Sequence, residues 1–205
     1  LGTFYDLEVS PEKVKGKKYD DEYFLNTSAA LIGALGSIVA AWHRIRNGDE
    51  PIPSKPDCTY AENFLHILGA EKITPLMTRI MDATLVLHGE HTINASTFTA
   101  MVTSSTLANA SQVVASAIGS LSGPLHGGAN EKVIAMLQKI ESKEEIRPWL
   151  DDTLKAKNVV WGMGHREYSV KDPRANILTD MVQQLFDERE GGVTDIFEKA
   201  IELEK

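Results

Sequence analysis

Three stretches of this chain carry side chains that could do chemistry, and each sets a histidine beside or near glycines. In LHGEHTINASTF, His88 and His91 stand three residues apart where an apolar run ends. Two imidazoles so spaced can ligate a metal, but a ligand set also needs a third nitrogen or a carboxylate placed by the fold. The H-E-x-x-H order is absent as well, so no metal is expected. In GPLHGGANE, His126 lies in a break where Gly127 and Gly128 let the backbone approach a ligand closely and expose N–H groups. In VVWGMGHREYSVKDPRA, Gly162 and Gly164 free the backbone just before His165, and Arg166, Lys171 and Arg174 gather positive charge. Imidazole exchanges protons near neutral pH, and a guanidinium grips a carboxylate through two parallel hydrogen bonds. Taken singly, a loop histidine is more often structural and a basic cluster is usually a solvated face.

The elements that must position these residues are helices. Asn26-Thr27-Ser28 can cap a helix running to about Asn47, with Gly48 as its stop and Gly33, Gly36, Ser37 and Ala40 as a small-residue face for another helix. Thr59-x-x-Glu62 has capping-box spacing before a short helix closed by Gly69. Thr74-Pro75 opens the stripe Leu76, Ile80, Ala83 and Leu87, which ends near His88. Asn94 and Asn109 read as caps of two Ala/Ser-rich helices, the second broken at Gly123-Pro124. Beyond Gly128, Val133, Ile134, Leu137 and Ile140 predict one buried face, and Ser142-x-x-Glu145 predicts a second capping box. Asp172-Pro173 opens a long helix with Leu178, Met181, Val182, Leu185 and Phe186 inside, closed by Gly191-Gly192. Thr194 caps a last helix buried through Ile196, Phe197, Ala200 and Ile201. The first 27 residues read as a charged surface lead-in, and Asn158 to Trp161 is the only weak strand candidate. The expected class is all-α.

Composition sets the remaining bounds. Of 205 residues, 21 are Lys or Arg and 29 are Asp or Glu, a net charge of −8 that disfavours nucleic acid and anionic membranes as partners. The weakly polar run Ala29 to Trp42 is shorter than the roughly 20 residues that span a bilayer. Hydrophobic residues at 42% and charged residues at 24% exclude a disordered chain and promise a real core. Cys58 is the single cysteine, which excludes an internal disulfide framework and suits a reducing, cytoplasmic setting. No signal-peptide pattern opens the chain.

In order and in wording, LHGEHTINASTF, GPLHGGANE and GMGHREYSVKDPRA resemble the three signature segments of the citrate synthase family. The resemblance runs from about Ser28 to Lys205. It implies a helical fold in which residues 1–128 are part of a large domain and 129–205 form a small domain on the CoA side. Enzymes of that family are acyltransferases that condense oxaloacetate with acetyl-CoA to citrate and CoA at the entry of the tricarboxylic acid cycle. No permanently bound cofactor is implied; the CoA thioester is a co-substrate. By resemblance, His91 holds oxaloacetate, His126 donates a hydrogen bond to the thioester carbonyl during enolisation, and His165 polarises the ketone and protonates the alkoxide. Arg174 takes a substrate carboxylate, and Gly162, Met163, Gly164, Arg166 and Lys171 meet CoA. A neutral imidazole is the better donor at His126, and the predicted helix N-terminus just after it favours that form. A homodimer is implied too, and the small-residue and Ala/Ser-rich helices suit tight antiparallel packing.

Departures from the family pattern carry expectations of their own. Ser169 stands where a Lys or Arg commonly meets a CoA phosphate, a contact Lys171 is expected to replace, and Met101 stands where an arginine is common. The family's catalytic aspartate, its further carboxylate-binding arginines and its N-terminal helices find no match. The chain therefore reads as an internal portion of a citrate synthase, inactive by itself. The alternatives are a 2-methylcitrate synthase using propionyl-CoA and a non-catalytic helical scaffold derived from the family.

Overall fold

A computed structural model describes residues 21–89, 92–164, 169–188 and 192–205. Among these, every regular element is helical: α1 Asp21–Arg46, α2 Tyr60–Leu68, α3 Pro75–Leu87, α4 Ala95–Ser105, α5 Ala110–Leu121, α6 Ala129–Gln138, a 3-10 turn Lys143–Glu145, α7 Ile146–Lys155, α8 Pro173–Asp187 and α9 Asp195–Glu204. The expected all-α class holds. Asn158 to Trp161 is not a strand; it is irregular chain whose Val160 is buried at 8% exposure.

Side-chain caps explain most of the helix starts. The hydroxyls of Thr59 and Thr74 accept from the backbone N–H groups of Glu62 and Met77, and the amide oxygens of Asn94 and Asn109 accept from those of Thr97 and Gln112. Each cap satisfies a donor that the helix leaves orphaned and contributes about 1 kcal/mol. Three starts differ from the sequence expectation, one of them α9, where Thr194 stands at the cap position but makes no side-chain capping bond. α1 begins at Asp21, so Asn26-Thr27-Ser28 lies within it; cap-type residues cost a helix interior only a few tenths of a kcal/mol each. Ser142 makes no capping bond, because its hydroxyl serves the carboxylate of Glu144, and α7 is entered through the 3-10 turn instead.

The chain divides into two compact units between Ser116 and Ala117, inside α5. In the first, α1 packs on α2 and α2 on α3. The Tyr60 hydroxyl donates to the carbonyl of Ile32 at 2.9 Å, and Gly36 makes room for it, since a methyl there would collide with that oxygen. Ala40, one turn on, is fully buried, whereas Gly33 meets nothing, so only part of the small-residue face is used. The span Leu25–Arg46 is 22 residues, long and apolar enough to cross a bilayer, because the helix extends past both ends of the Ala29 to Trp42 run. Ala40 and the Ile32–Tyr60 bond commit one side of α1 to protein packing. Cys58 in the α1–α2 connection is a poor nucleophile: burial first, then the charge of Glu62, pushes its thiol up.

The second unit is built around Met136, Leu137 and Ile140 of the α6 region, Ile146 of α7, Val160 and Leu203 of α9. The stripe along α6 and just past its end is Val133, Met136, Leu137, Ile140, the i, i+3, i+4, i+7 pattern, which leaves the expected core residue Ile134 on the outside at 45% exposure. In α9 the most deeply buried side chains are Lys199 and Leu203 rather than Ile196, Phe197, Ala200 and Ile201. Lys199 buries its stem and brings its ammonium to Asp195 at 2.6 Å. Phe186 of α8 meets Phe197 with ring centroids 5.1 Å apart. Gly191 lies outside the described residues; α8 has already ended at Asp187.

Glu202 ties α9 to α7 through Arg147 at 3.7 Å. A hydrogen bond from Lys205 first, then the charges of Lys205, Arg147 and Lys143, hold its carboxyl below the usual carboxylate range. A depressed folded pKa contributes stability above the unfolded value and loses it as pH falls through the folded one. Glu202→Gln is therefore expected to melt below the parent at pH 7, with the gap narrowing toward about pH 3, by thermal denaturation followed by circular dichroism.

Candidate active site

His126 sits at the end of a ladder of tight turns. Its N–H donates to the carbonyl of Gly123 at 2.9 Å, and the Gly127 N–H reaches back to the carbonyl of Leu121 at 3.0 Å. A methyl on Gly127 would strike that same carbonyl oxygen, and one on Gly128 would lie 3.0 Å from the Cα and O of Pro124. The glycine pair therefore serves the chain's own close approach. α6 begins at Ala129 with Gly128 as its cap, so a helix N-terminus does follow His126 directly. The imidazole is half-buried, while Leu125 beside it is 98% exposed.

The Val159 to Gly164 loop is moored to α6. Val160 enters the core, Lys132 places its ammonium 4.1 Å above the Trp161 ring, and a methyl on Gly162 would press to 3.1 Å from Val133 Cγ2. Gly162 and Gly164 have φ of +88° and +81°, the left-handed region that favours glycine. Met163, between them, is 44% exposed.

At the start of α8 Lys171 and Arg174 each meet a carboxylate. Lys171 Nζ lies 2.5 Å from Glu204 of α9. Arg174 points its Nε and Nη2 at Asp172, at 3.0 and 2.6 Å, and the Asp172 side chain also accepts the Arg174 backbone N–H. Sequence reasoning took Asp172 for a cap alone and passed over Glu204. D-P-R, an acid two residues before an arginine at a helix start, was the available cue for the first; nothing in the spacing marked the second.

His91, His165 and Arg166 lie outside the described residues, as do their distances to the others. His88 turns its Nδ1 to the Thr84 carbonyl of its own helix at 2.6 Å. Met101, on α4, is 51% exposed. His126, the glycine loop, Lys171 and Arg174 all fall within the second unit.

The histidine on its glycine-built turn at a helix start, the glycine loop and the D-P-R helix start thus all stand in one helical unit. The family described as "Citrate synthase, C-terminal domain" matches residues 1–205, and the chain belongs to the citrate synthase family. The match reaches the first 27 residues, which the signature segments had left outside. A citrate synthase of Acidithiobacillus ferridurans is 42% identical over 100% of this chain and 52% of its own length. One of Synechocystis is 47% identical over 91% of this chain and 46% of its own. A 2-methylcitrate synthase of Shewanella oneidensis is 38% identical over 76% and 42%. The citrate synthase of Thermoplasma acidophilum, solved in ternary complex with carboxymethyl coenzyme A and oxaloacetate, superposes with TM-score 0.80 at 29% identity, over 94% of this chain and 51% of that one. The chain thus spans about half the length of the relatives it matches.

The glycine geometry yields a paired prediction. Gly127→Ala is expected to lower thermal stability by more than about 1 kcal/mol, because a backbone oxygen must move. Gly119→Ala, within α5 with nothing near its added methyl, is expected to gain about 0.5 to 1 kcal/mol. Chemical denaturation of the two variants beside the parent checks both signs.

Proposed function

We propose that the protein condenses oxaloacetate with acetyl-CoA, giving citrate and CoA at the entry of the tricarboxylic acid cycle. Membership of the citrate synthase family, with all three signature segments present, carries this reading. His126 donates to the thioester carbonyl as a base removes a methyl proton; the base is the family's aspartate, to which none of these residues is assigned. The enol carbon then attacks the ketone of oxaloacetate. His165 polarises that ketone and delivers a proton to the alkoxide, while His91 and Arg174 hold the substrate. Water cleaves the resulting thioester and frees CoA. Gly162, Met163, Gly164 and Arg166 are assigned to the CoA backbone contacts, and Lys171 to a phosphate.

The large domain is assigned to residues 1–128 and the small one to 129–205, in a cytoplasmic enzyme. Propionyl-CoA in place of acetyl-CoA is the second reading, favoured by the likeness to the Shewanella 2-methylcitrate synthase. One methylene of pocket is worth only about 1 to 3 kcal/mol, so the same residues serve either substrate.

Two losses in the full-length protein separate the proposed roles. Arg174→Ala removes a contact made in ground and transition states alike, so oxaloacetate KM is expected to rise strongly. His165→Ala removes stabilisation of charge that develops only as the carbon–carbon bond forms, so kcat is expected to fall by about 10²-fold or more with a smaller change in KM. Release of CoA thiol followed with a thiol reagent gives both constants; an unchanged kcat for His165→Ala removes it from the electrophilic role. A homodimer is also proposed, supported by Phe98, Met101 and Val102 standing at least half exposed along α4. Sedimentation at micromolar concentration is expected to give a dimer, and a well-folded monomer would count against it.

A further inference from the structure

The Asp172 carboxylate does two things at once. Its Oδ1 accepts the Arg174 backbone N–H at 2.9 Å, capping α8. Its two oxygens also take the guanidinium side-on, Nε at 3.0 and 3.1 Å and Nη2 at 2.6 Å. Pro173 between them fixes φ at the first helical position, so the path from one side chain to the other is short and stiff. The two side chains are 25% and 27% exposed, sheltered enough for a charge-assisted fork to orient the group and wet enough to avoid a heavy desolvation cost.

We propose that Asp172 is the positioning residue for Arg174, fixing the guanidinium plane before substrate arrives; this rests on the reading of Arg174 as the oxaloacetate ligand. An arginine has several rotatable bonds, and a ligand that must still them all gives up affinity in doing so. The fork stills them in the resting protein. Asp172 also carries negative charge toward an anionic substrate, which opposes binding. That charge is matched by the guanidinium it holds, so the approaching carboxylate feels a dipole, whose field falls off faster than that of a single charge. Positioning is therefore the larger effect.

The test uses Asp172→Asn and Asp172→Ser in the full-length protein, because Asn and Ser cap helices about as well as Asp while removing the charged fork. Both are expected to raise oxaloacetate KM about 10-fold, to leave acetyl-CoA KM unmoved and kcat within about 3-fold, and to keep the parent's melting temperature. Unchanged or lowered oxaloacetate KM in both variants overturns the proposal, as does a parallel rise of both KM values with a loss of thermal stability, which marks Asp172 as structural only. Arg174→Ala run alongside separates the two claims. If it raises oxaloacetate KM while the Asp172 variants do not, the positioning role fails alone; if it leaves KM unchanged, the reading of Arg174 fails and the proposal with it.

Discussion

The second unit hangs on one packing event, the burial of Val160 among Met136, Leu137, Ile140, Ile146 and Leu203. Each such side chain contributes about 1.5 to 3 kcal/mol by leaving water, and Val160 is the member that comes from the irregular chain after α7. Drawing it into the core pulls irregular backbone against α6, and the following residues must turn away at once. Gly162 and Gly164 supply the left-handed conformations that the exit needs, and Lys132 above Trp161 covers the seam. The exposed Met163 and the loop's backbone groups are therefore presented from a fixed base.

Charge is handled more loosely. In a chain of net charge −8, Lys171 and Arg174 rest on carboxylates supplied by Glu204 and Asp172. The Lys171–Glu204 pair is more than a third exposed on both sides, the kind of contact worth about 0 to 1 kcal/mol. The Arg174–Asp172 pair is more sheltered, bidentate and reinforced by a backbone bond, so it persists. The first pair is the looser of the two, the second the more firmly held.

How much of this was legible depends on the range of the interaction. Helix starts at Thr59, Thr74, Asn94, Asn109 and Asp172 were readable because a cap and its donor lie two or three residues apart, and local chemistry decides the outcome. The family was readable because whole segments, not single residues, were present. Ser142 misled, since its hydroxyl bonds to the Glu144 carboxylate while the Glu145 N–H that a capping box would use donates to the Ser142 carbonyl instead.

By itself the sequence determined the all-helical class, most caps, the glycine turn at His126 and the residues to which the chemistry is assigned. Tertiary structure decided which face of α6 is buried, putting Met136 inside and Ile134 outside, because both satisfy a helical stripe until a neighbour selects one. It decided too that Lys199 is covered, that Val160 anchors a loop instead of joining a strand, and that Glu204 is the partner of Lys171. Those outcomes join residues far apart in the chain, and no local pattern encodes a contact whose other half is set by how the helices pack.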